Sequence, residues 1–180
     1  MHRETNGYLV GAVEGAIAGA VGTVVMDKVS TYLYDLEDPA TVKQEEAARV
    51  EGKDPASVAA GRLADAIGAE PGEDGVATAA SAIHYALGVV PGVIYGAARP
   101  HLGGSGITRG LLYGLALFLV NDEALGQALG LAAPPQAYPW QAHARGLAAH
   151  LALGVTTEAV MTALDALGPE RTSAARYRAA

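Results

Sequence analysis

The chain has 180 residues, of which 51% are hydrophobic and only 17% are charged, with a net charge of −7 and no cysteine. The apolar content excludes a disordered chain, and an acidic chain without a basic patch is unsuited to nucleic acid. Lack of cysteine excludes disulfides, thiol nucleophiles, iron–sulfur clusters and cysteine zinc sites. Residues 35–74 hold eleven acidic and four basic side chains, so this segment alone accounts for the net charge.

Four segments are long and apolar enough to cross a membrane, which takes about 20 residues of helix. They are residues 8–32, 77–98, 107–127 and 144–166. A soluble four-helix bundle with an alanine-rich core is the alternative, but each of its helices would need a polar outer face, and residues 75–98 offer none. We therefore predict an all-α, membrane-embedded four-helix bundle that forms a single domain over residues 1–180.

An acidic extramembrane loop, residues 34–75, separates the first two predicted spans. Residues 41–50 and 57–67 have helical composition, and Asp54 followed by Pro55 is typical of a helix start. Short amphipathic helices over the mouth of the bundle and a solvated loop both fit this pattern. Four spans place both termini on one side, and positive charge in the short loops favours the cytoplasm for that side.

Two stretches of the chain share the pattern A-x-H-x-A-L-G-V, residues 82–89 and residues 148–155. The helices before them align as well, because Gly15, Gly19 and Asp27 have the same spacing as Gly110, Gly114 and Asp122. These matches therefore predict an internal repeat, in which a unit of two helices occurs twice. Units of two spans are parallel repeats, related by an axis along the membrane normal.

This repeat predicts a polar layer at the membrane level next to the acidic loop. Asp27 and Asp122 lie near the ends of the first and third spans, and His84 and His150 near the starts of the second and fourth. Ionisable residues at such depth usually face a partner, a cavity or a ligand. The four side chains are therefore candidate ligands of a first-row metal such as zinc, iron or manganese, or a relay for protons or cations.

Further polar residues extend this hypothesis. Glu123 and His143 are candidates for a surrounding shell, and Glu14 and Glu158 for a deeper level of a proton or ion path. Ligation of a b-type haem by His84 and His150 is an alternative. Each of these residues could instead serve only to hydrogen-bond within the bundle.

Glycines at four-residue spacing form stripes on two of the predicted spans: Gly11, Gly15 and Gly19 on the first, and Gly110 and Gly114 on the third. Such stripes let helix backbones approach closely in lipid. They predict contact with another helix, and they are compatible with a homo-oligomer or a partner membrane subunit. A structural scaffold without chemistry of its own is therefore a further alternative.

Several segments in order resemble a known family. They are V-V-M-D (24–27), H-Y-A-L-G-V-V-P-G-V-I-Y-G (84–96), N-D-E-A-L-G-Q-A-L-G-L (121–131), P-P-Q-A-Y-P-W (134–140) and H-A-R-G-L-A-A-H-L-A-L-G (143–154). This order resembles the YagU-type family of bacterial inner-membrane proteins of unknown function. The resemblance implies a multi-pass protein of the inner membrane and carries no catalytic residues.

The sequence contains no phosphate-binding glycine loop followed by lysine, no serine elbow and no catalytic triad. It therefore favours a non-enzymatic membrane protein over a soluble enzyme. We expect its His/Asp layer to bind a metal ion or to pass protons or cations, with the lipid bilayer as its surroundings.

Overall fold

The computed structural model describes residues 2–167, with side chains described from Gly7 onward. Within that range the chain is helical and has no strand, which confirms the all-α class. The helices are α1 (His2–Tyr34), α2 (Pro39–Ala48), α3 (Pro55–Ala66), α4 (Glu73–Ala98), α5 (Gly106–Leu117), α6 (Gly126–Ala128) and α7 (Trp140–Leu167). A π-helix, Phe118–Leu125, joins α5 to α6.

Three stretches of helix are long and apolar enough to cross a membrane: Gly7–Tyr34, Glu73–His101 and Trp140–Leu167. They correspond to three of the four predicted spans. The fourth, residues 107–127, is not one continuous α-helix, because α5 ends at Leu117 and the π-helix follows. The predicted acidic loop is partly helical as expected, since it contains α2 and α3.

Helices α1 and α4 pack antiparallel through glycines on both sides of their contact. A β-carbon on Gly11 would lie 2.6 Å from the carbonyl oxygen of Gly96, and one on Gly19 would lie 2.7 Å from that of Gly88. Between them, Gly15 lies against Gly92 so closely that no side chain fits. Small residues permit this approach of the two backbones. The glycine stripe of α1 is therefore occupied within a single chain.

Helix α7 packs against both α1 and α5. A β-carbon on Gly110 would meet the carbonyl oxygen of Gly154 at 2.8 Å, so the α5–α7 contact is also a glycine contact. On the other side, a β-carbon on Gly22 of α1 would lie 2.6 Å from Oγ1 of Thr157. Glycines of both predicted stripes thus make close contacts within the chain.

The remaining side of the bundle, between α4 and α5, is held together by side chains instead of close backbone contact. The rings of Tyr95 and Tyr113 stack there with 4.3 Å between their centroids. When the two helices are aligned by the glycine spacing of the predicted repeat, Tyr113 and Leu117 of α5 correspond to Ala18 and Gly22 of α1. Large residues replace small ones at these positions, so α4 and α5 stay apart and leave room for a cavity nearer the acidic loop.

The acidic segment is anchored on the bundle by Arg145, near the start of α7. Its guanidinium forms ion pairs with Glu37 and Glu45 and lies over the Tyr34 ring at 4.9 Å from the centroid. Glu45 is buried and also pairs with Arg49 at 3.1 Å. Helix α3 packs against α4 and buries Val58. The segment therefore forms a cap over one end of the bundle, which we call the acidic cap.

Large apolar side chains cover the outside of the long helices. Leu9, Val13, Ile94, Leu112 and Leu119 are each more than half exposed. Exposed apolar surface of this extent on every long segment is costly in water and suited to lipid.

Candidate functional site

Two aspartate–histidine pairs lie at the capped end of the bundle, one in each pair of glycine-packed helices. On α1 and α4, Nε2 of His84 is 2.7 Å from Oδ1 of Asp27. On the π-helix and α7, Nδ1 of His150 is 3.4 Å from Oδ2 of Asp122. The shared depth predicted for these four residues follows from the antiparallel course of the helices.

Each histidine keeps one ring nitrogen free for another partner. Nδ1 of His150 donates to the carbonyl oxygen of Gly146 at 2.9 Å, because a carbonyl can only accept. The neutral ring then presents a lone pair at Nε2. His84 uses Nε2 for Asp27, which leaves its Nδ1. Within the described residues neither remaining nitrogen has a hydrogen-bond partner.

A small cavity of about 70 Å³, which we call the inner cavity, lies between the two pairs. His84, Asn121, Asp122 and His150 supply its polar wall, and Met26, Leu87 and Leu153 are among its apolar residues. The side chain of His150 is only 7% exposed. Since a water molecule needs on the order of 10–15 Å³ and two to four polar partners, the inner cavity suits a few waters.

A larger cavity of about 350 Å³, which we call the outer chamber, adjoins the inner cavity and shares four wall residues with it: His84, Leu87, Asn121 and Asp122. Its other walls come from the acidic cap, through residues such as Glu45 and Arg49, and from α7. The outer chamber thus connects the His/Asp layer with the acidic cap.

The π-helix brings three consecutive polar residues to these cavities. Asn121, Asp122 and Glu123 all line the outer chamber, although they are successive in sequence. A π-helix has more residues per turn than an α-helix and is common at functional sites. Sequence reasoning missed it, since a local widening of a helix has no hydropathy signal.

Glu123 and His143, predicted as a surrounding shell, do form a pair. Nδ1 of His143 is 2.6 Å from Oε1 of Glu123, and its Nε2 is 3.0 Å from the carbonyl oxygen of Pro135. Both ring nitrogens face oxygen acceptors, an arrangement that suits the imidazolium ion. The pair lies in the wall of the outer chamber and not around a common ligand with His84.

The four predicted metal ligands do not assemble into one centre. Among the described residues, no three His, Asp or Glu side chains come close enough to hold a metal ion. Leu87 and Leu153, each three residues after a histidine, line the inner cavity together with His84, Asp122 and His150. For the haem alternative, the inner cavity between His84 and His150 is far smaller than a porphyrin ring.

Glu158, predicted for an ion path, is instead the centre of an ionic cluster at the opposite end. It is 3% exposed and accepts hydrogen bonds from Tyr95 at 2.5 Å, from Arg99 at 3.0 Å and from Arg109 at 2.5 Å. Arg99 also binds Asp165 at 2.7 Å. Glu14 is partly buried within the electrostatic reach of Arg99 and Asp165.

This cluster was not anticipated, although both arginines stand out in the sequence. Arg99 and Arg109 flank the loop between the second and third predicted spans, at the same level as Glu158. A lone carboxylate in an apolar helix together with arginines at the ends of its neighbours is a signal that could have suggested the pairing.

No family model matches this chain, and no curated protein or solved structure is significantly similar to it. The resemblance to the YagU-type family therefore stays a prediction from the quoted segments.

Proposed function

We propose that the protein is a multi-pass membrane protein that passes protons, or another small cation, through its paired His/Asp layer. One observation carries the proposal: His84, which is paired with Asp27, and the pair of Asp122 with His150 line one small inner cavity, and this cavity shares four wall residues with a larger chamber. Three membrane-length apolar helices support the location in a bilayer.

The proposal includes a fourth span, made of α5, the π-helix and α6. Its support is the antiparallel packing of α5 along α7, which mirrors that of α1 along α4. In both halves corresponding glycines meet, Gly19 with Gly88 and Gly114 with Gly154. These contacts support two parallel two-helix repeats within a four-helix bundle.

Proton transfer at this layer has a simple chemical basis. An imidazole can both accept and donate a proton, and each histidine here has a free ring nitrogen opposite one that is bound to an oxygen, Asp27 for His84 and the Gly146 carbonyl for His150. Water in the inner cavity would bridge Nδ1 of His84 and Nε2 of His150 and hand protons between the two pairs. Asp122 and Asn121 would then connect that water to the outer chamber.

The path from this layer to the opposite end is closed in the present conformation. Leu153 and Thr157 are fully buried there, and the Glu158 cluster places two guanidinium groups at the far end. Both guanidinium groups are paired with the carboxylates of Glu158 and Asp165, so a network of ion pairs closes that end. Passage therefore requires opening near the Glu158 cluster, whereas uptake from the capped end does not.

For the setting we propose the bacterial inner membrane with both termini in the cytoplasm. The outer ends of α1 and α7 lie at the same end of the bundle, since Gly11 contacts Gly96 and Asp165 contacts Arg99. That arrangement agrees with an even number of spans. The acidic cap and the outer chamber would then face away from the cytoplasm.

The test is proton flux into liposomes that contain the purified protein and a trapped pH dye. A pH gradient should drive faster proton entry than in empty liposomes, and the double variant His84→Ala/His150→Ala should remove the difference. His101→Ala is the matched control, because His101 is exposed at the opposite end beside Tyr8. Flux equal to that of empty liposomes, or unchanged in the double variant, would contradict the proposal.

A further inference from the structure

We propose that the outer chamber is a binding site for a small organic ammonium ion, with Asp122 as its counter-ion. The inference rests on the proposed function to the extent that both use Asp122. It adds a ligand of defined chemistry, whose binding is measured separately from proton flux.

The size and the walls of the outer chamber suit a small organic molecule. Its volume of about 350 Å³ is at the lower end of the usual range for ligand pockets, roughly 300–1,000 Å³. Leu87, Phe118, Ala142 and the Tyr138 ring line it beside the charged groups. The wall also holds five charged side chains and two histidines, so an organic ligand that itself carries a charge fits it better than a neutral one.

The charges of the outer chamber are nearly all compensated from within the protein. Glu45 is paired with Arg49 and Arg145, and Glu123 is paired with His143. The carboxylate of Asp54 is occupied at the start of α3, where it accepts hydrogen bonds from the backbone and the hydroxyl of Ser57. These carboxylates therefore have no need of a ligand.

Asp122 is the exception among the described residues of this wall. Its Oδ2 is 3.4 Å from His150, longer than a hydrogen bond, and its Oδ1 has no hydrogen bond. Its side chain is 39% exposed, at the junction of the outer chamber with the inner cavity. Next to it lie the unpaired amide of Asn121 and the free Nε2 of His150, whose side chain is more than nine-tenths buried.

These groups match an ammonium ion better than a metal ion. No three His, Asp or Glu side chains converge in the described part of the chain, so a bare metal ion lacks protein ligands. An ammonium group instead donates to one carboxylate and to an amide oxygen, while its hydrocarbon part packs on Leu87 and Phe118. Aromatic faces such as those of Phe118 and Tyr138 also attract a cation.

The experiment measures ligand binding by calorimetry to the detergent-purified full chain at neutral pH. Propylammonium is the probe. Propionate, which has the opposite charge, and sodium ion, which has the same charge but no hydrocarbon chain, are the matched control ions. We expect saturable binding of propylammonium alone. Asp122→Asn should weaken it at least about tenfold, as expected for the loss of a charge-assisted contact. Absence of propylammonium binding, or equal binding of sodium ions, would overturn the proposal.

The control variant is Asp65→Asn, which removes the charge of an exposed aspartate on α3. Asp65 does not line the outer chamber, so propylammonium affinity should stay within about twofold of wild type. If Asp122→Asn fails to fold, Leu87→Phe replaces it, because a larger ring in the wall should exclude the organic ion. Unchanged affinity in Leu87→Phe would likewise overturn the proposal.

The two proposals fail in different ways. Wild-type proton flux without propylammonium binding would refute the ligand and leave the proposed function standing. Propylammonium binding that depends on Asp122, with flux no greater than in empty liposomes, would support the ligand and refute proton passage.

Discussion

The Glu158 cluster offers the sharpest test of what holds the bundle together. Removal of one partner from a buried ion pair costs about 3–5 kcal/mol, because the other charge stays buried without compensation. In Glu158→Ala, Arg99 keeps Asp165, whereas Arg109 loses its carboxylate and keeps only neutral partners, the carbonyl oxygen of Gly104 and the Tyr95 hydroxyl. Arg109 is therefore the stranded charge, and we expect a loss of about 3–5 kcal/mol in the free energy of unfolding.

The assay is unfolding in mixed detergent micelles with increasing sodium dodecyl sulfate, followed by far-ultraviolet circular dichroism. A second substitution, Arg109→Met, should recover at least about 1 kcal/mol in the Glu158→Ala background, since it removes the stranded charge. Glu70→Ala, on the exposed link between α3 and α4, is the control and should change stability by less than about 0.5 kcal/mol. A Glu158→Ala loss below about 1 kcal/mol, or no recovery with Arg109→Met, would refute the reasoning.

Three further predictions concern the helix contacts and the cap. Gly15→Leu should destabilise the chain by at least about 2 kcal/mol in the same assay, because a side chain at this position meets the backbone of Gly92. Gly7→Leu is the control and should not destabilise the chain, because open space surrounds Gly7. Arg145→Gln breaks the ion pairs with Glu37 and Glu45, so it should release the acidic cap and speed hydrogen exchange in α2. The control is Arg62→Gln, because the ion pair of Arg62 with Glu51 is exposed. Equal exchange rates in the two variants would contradict the role of Arg145 as an anchor. Partial burial raises the pKa of Asp54, but hydrogen bonds from Ser57 outweigh it and leave that pKa below its usual value. The resulting stabilisation of the α3 start is present above the unfolded pKa of about 4 and is lost as the pH falls through the folded pKa. Acid should therefore fray the start of α3 in the wild type and have less effect in Asp54→Asn. The measurement is hydrogen exchange at the backbone amide of Ser57.

Several features could be predicted from the sequence because they depend on neighbours along the chain. The long helices follow from uninterrupted apolar runs, and the start of α3 follows from Asp54 and Pro55, which cap it as expected. The common level of Asp27, His84, Asp122 and His150 follows from the alternating direction of successive spans. Even the pairing of Asp27 with His84 is consistent with the repeat, although spacing alone names no partner.

Other features could not be predicted because they depend on how helices are rotated and which ones touch. Hydropathy does not indicate which face of α4 contacts the glycine stripe of α1. The sequence therefore did not predict the contacts of the stripe, which pair Gly11 with Gly96, Gly15 with Gly92 and Gly19 with Gly88. The same holds for Glu158, whose charge is matched by arginines about 50–60 residues away in sequence. A carboxylate in an apolar helix indicates a partner, but not whether it is a mobile ion or a fixed side chain.

The sequence by itself determined a helical chain with long apolar segments, and it predicted two similar halves and a polar layer near one end, since composition, period and spacing are local properties. Only the tertiary structure decided that the layer is two Asp–His pairs around a cavity and not a four-ligand centre. The physical reason is steric: small residues close α1 on α7, whereas Tyr113 and Leu117 hold α5 away from α4 and leave the chamber open beside Asp122.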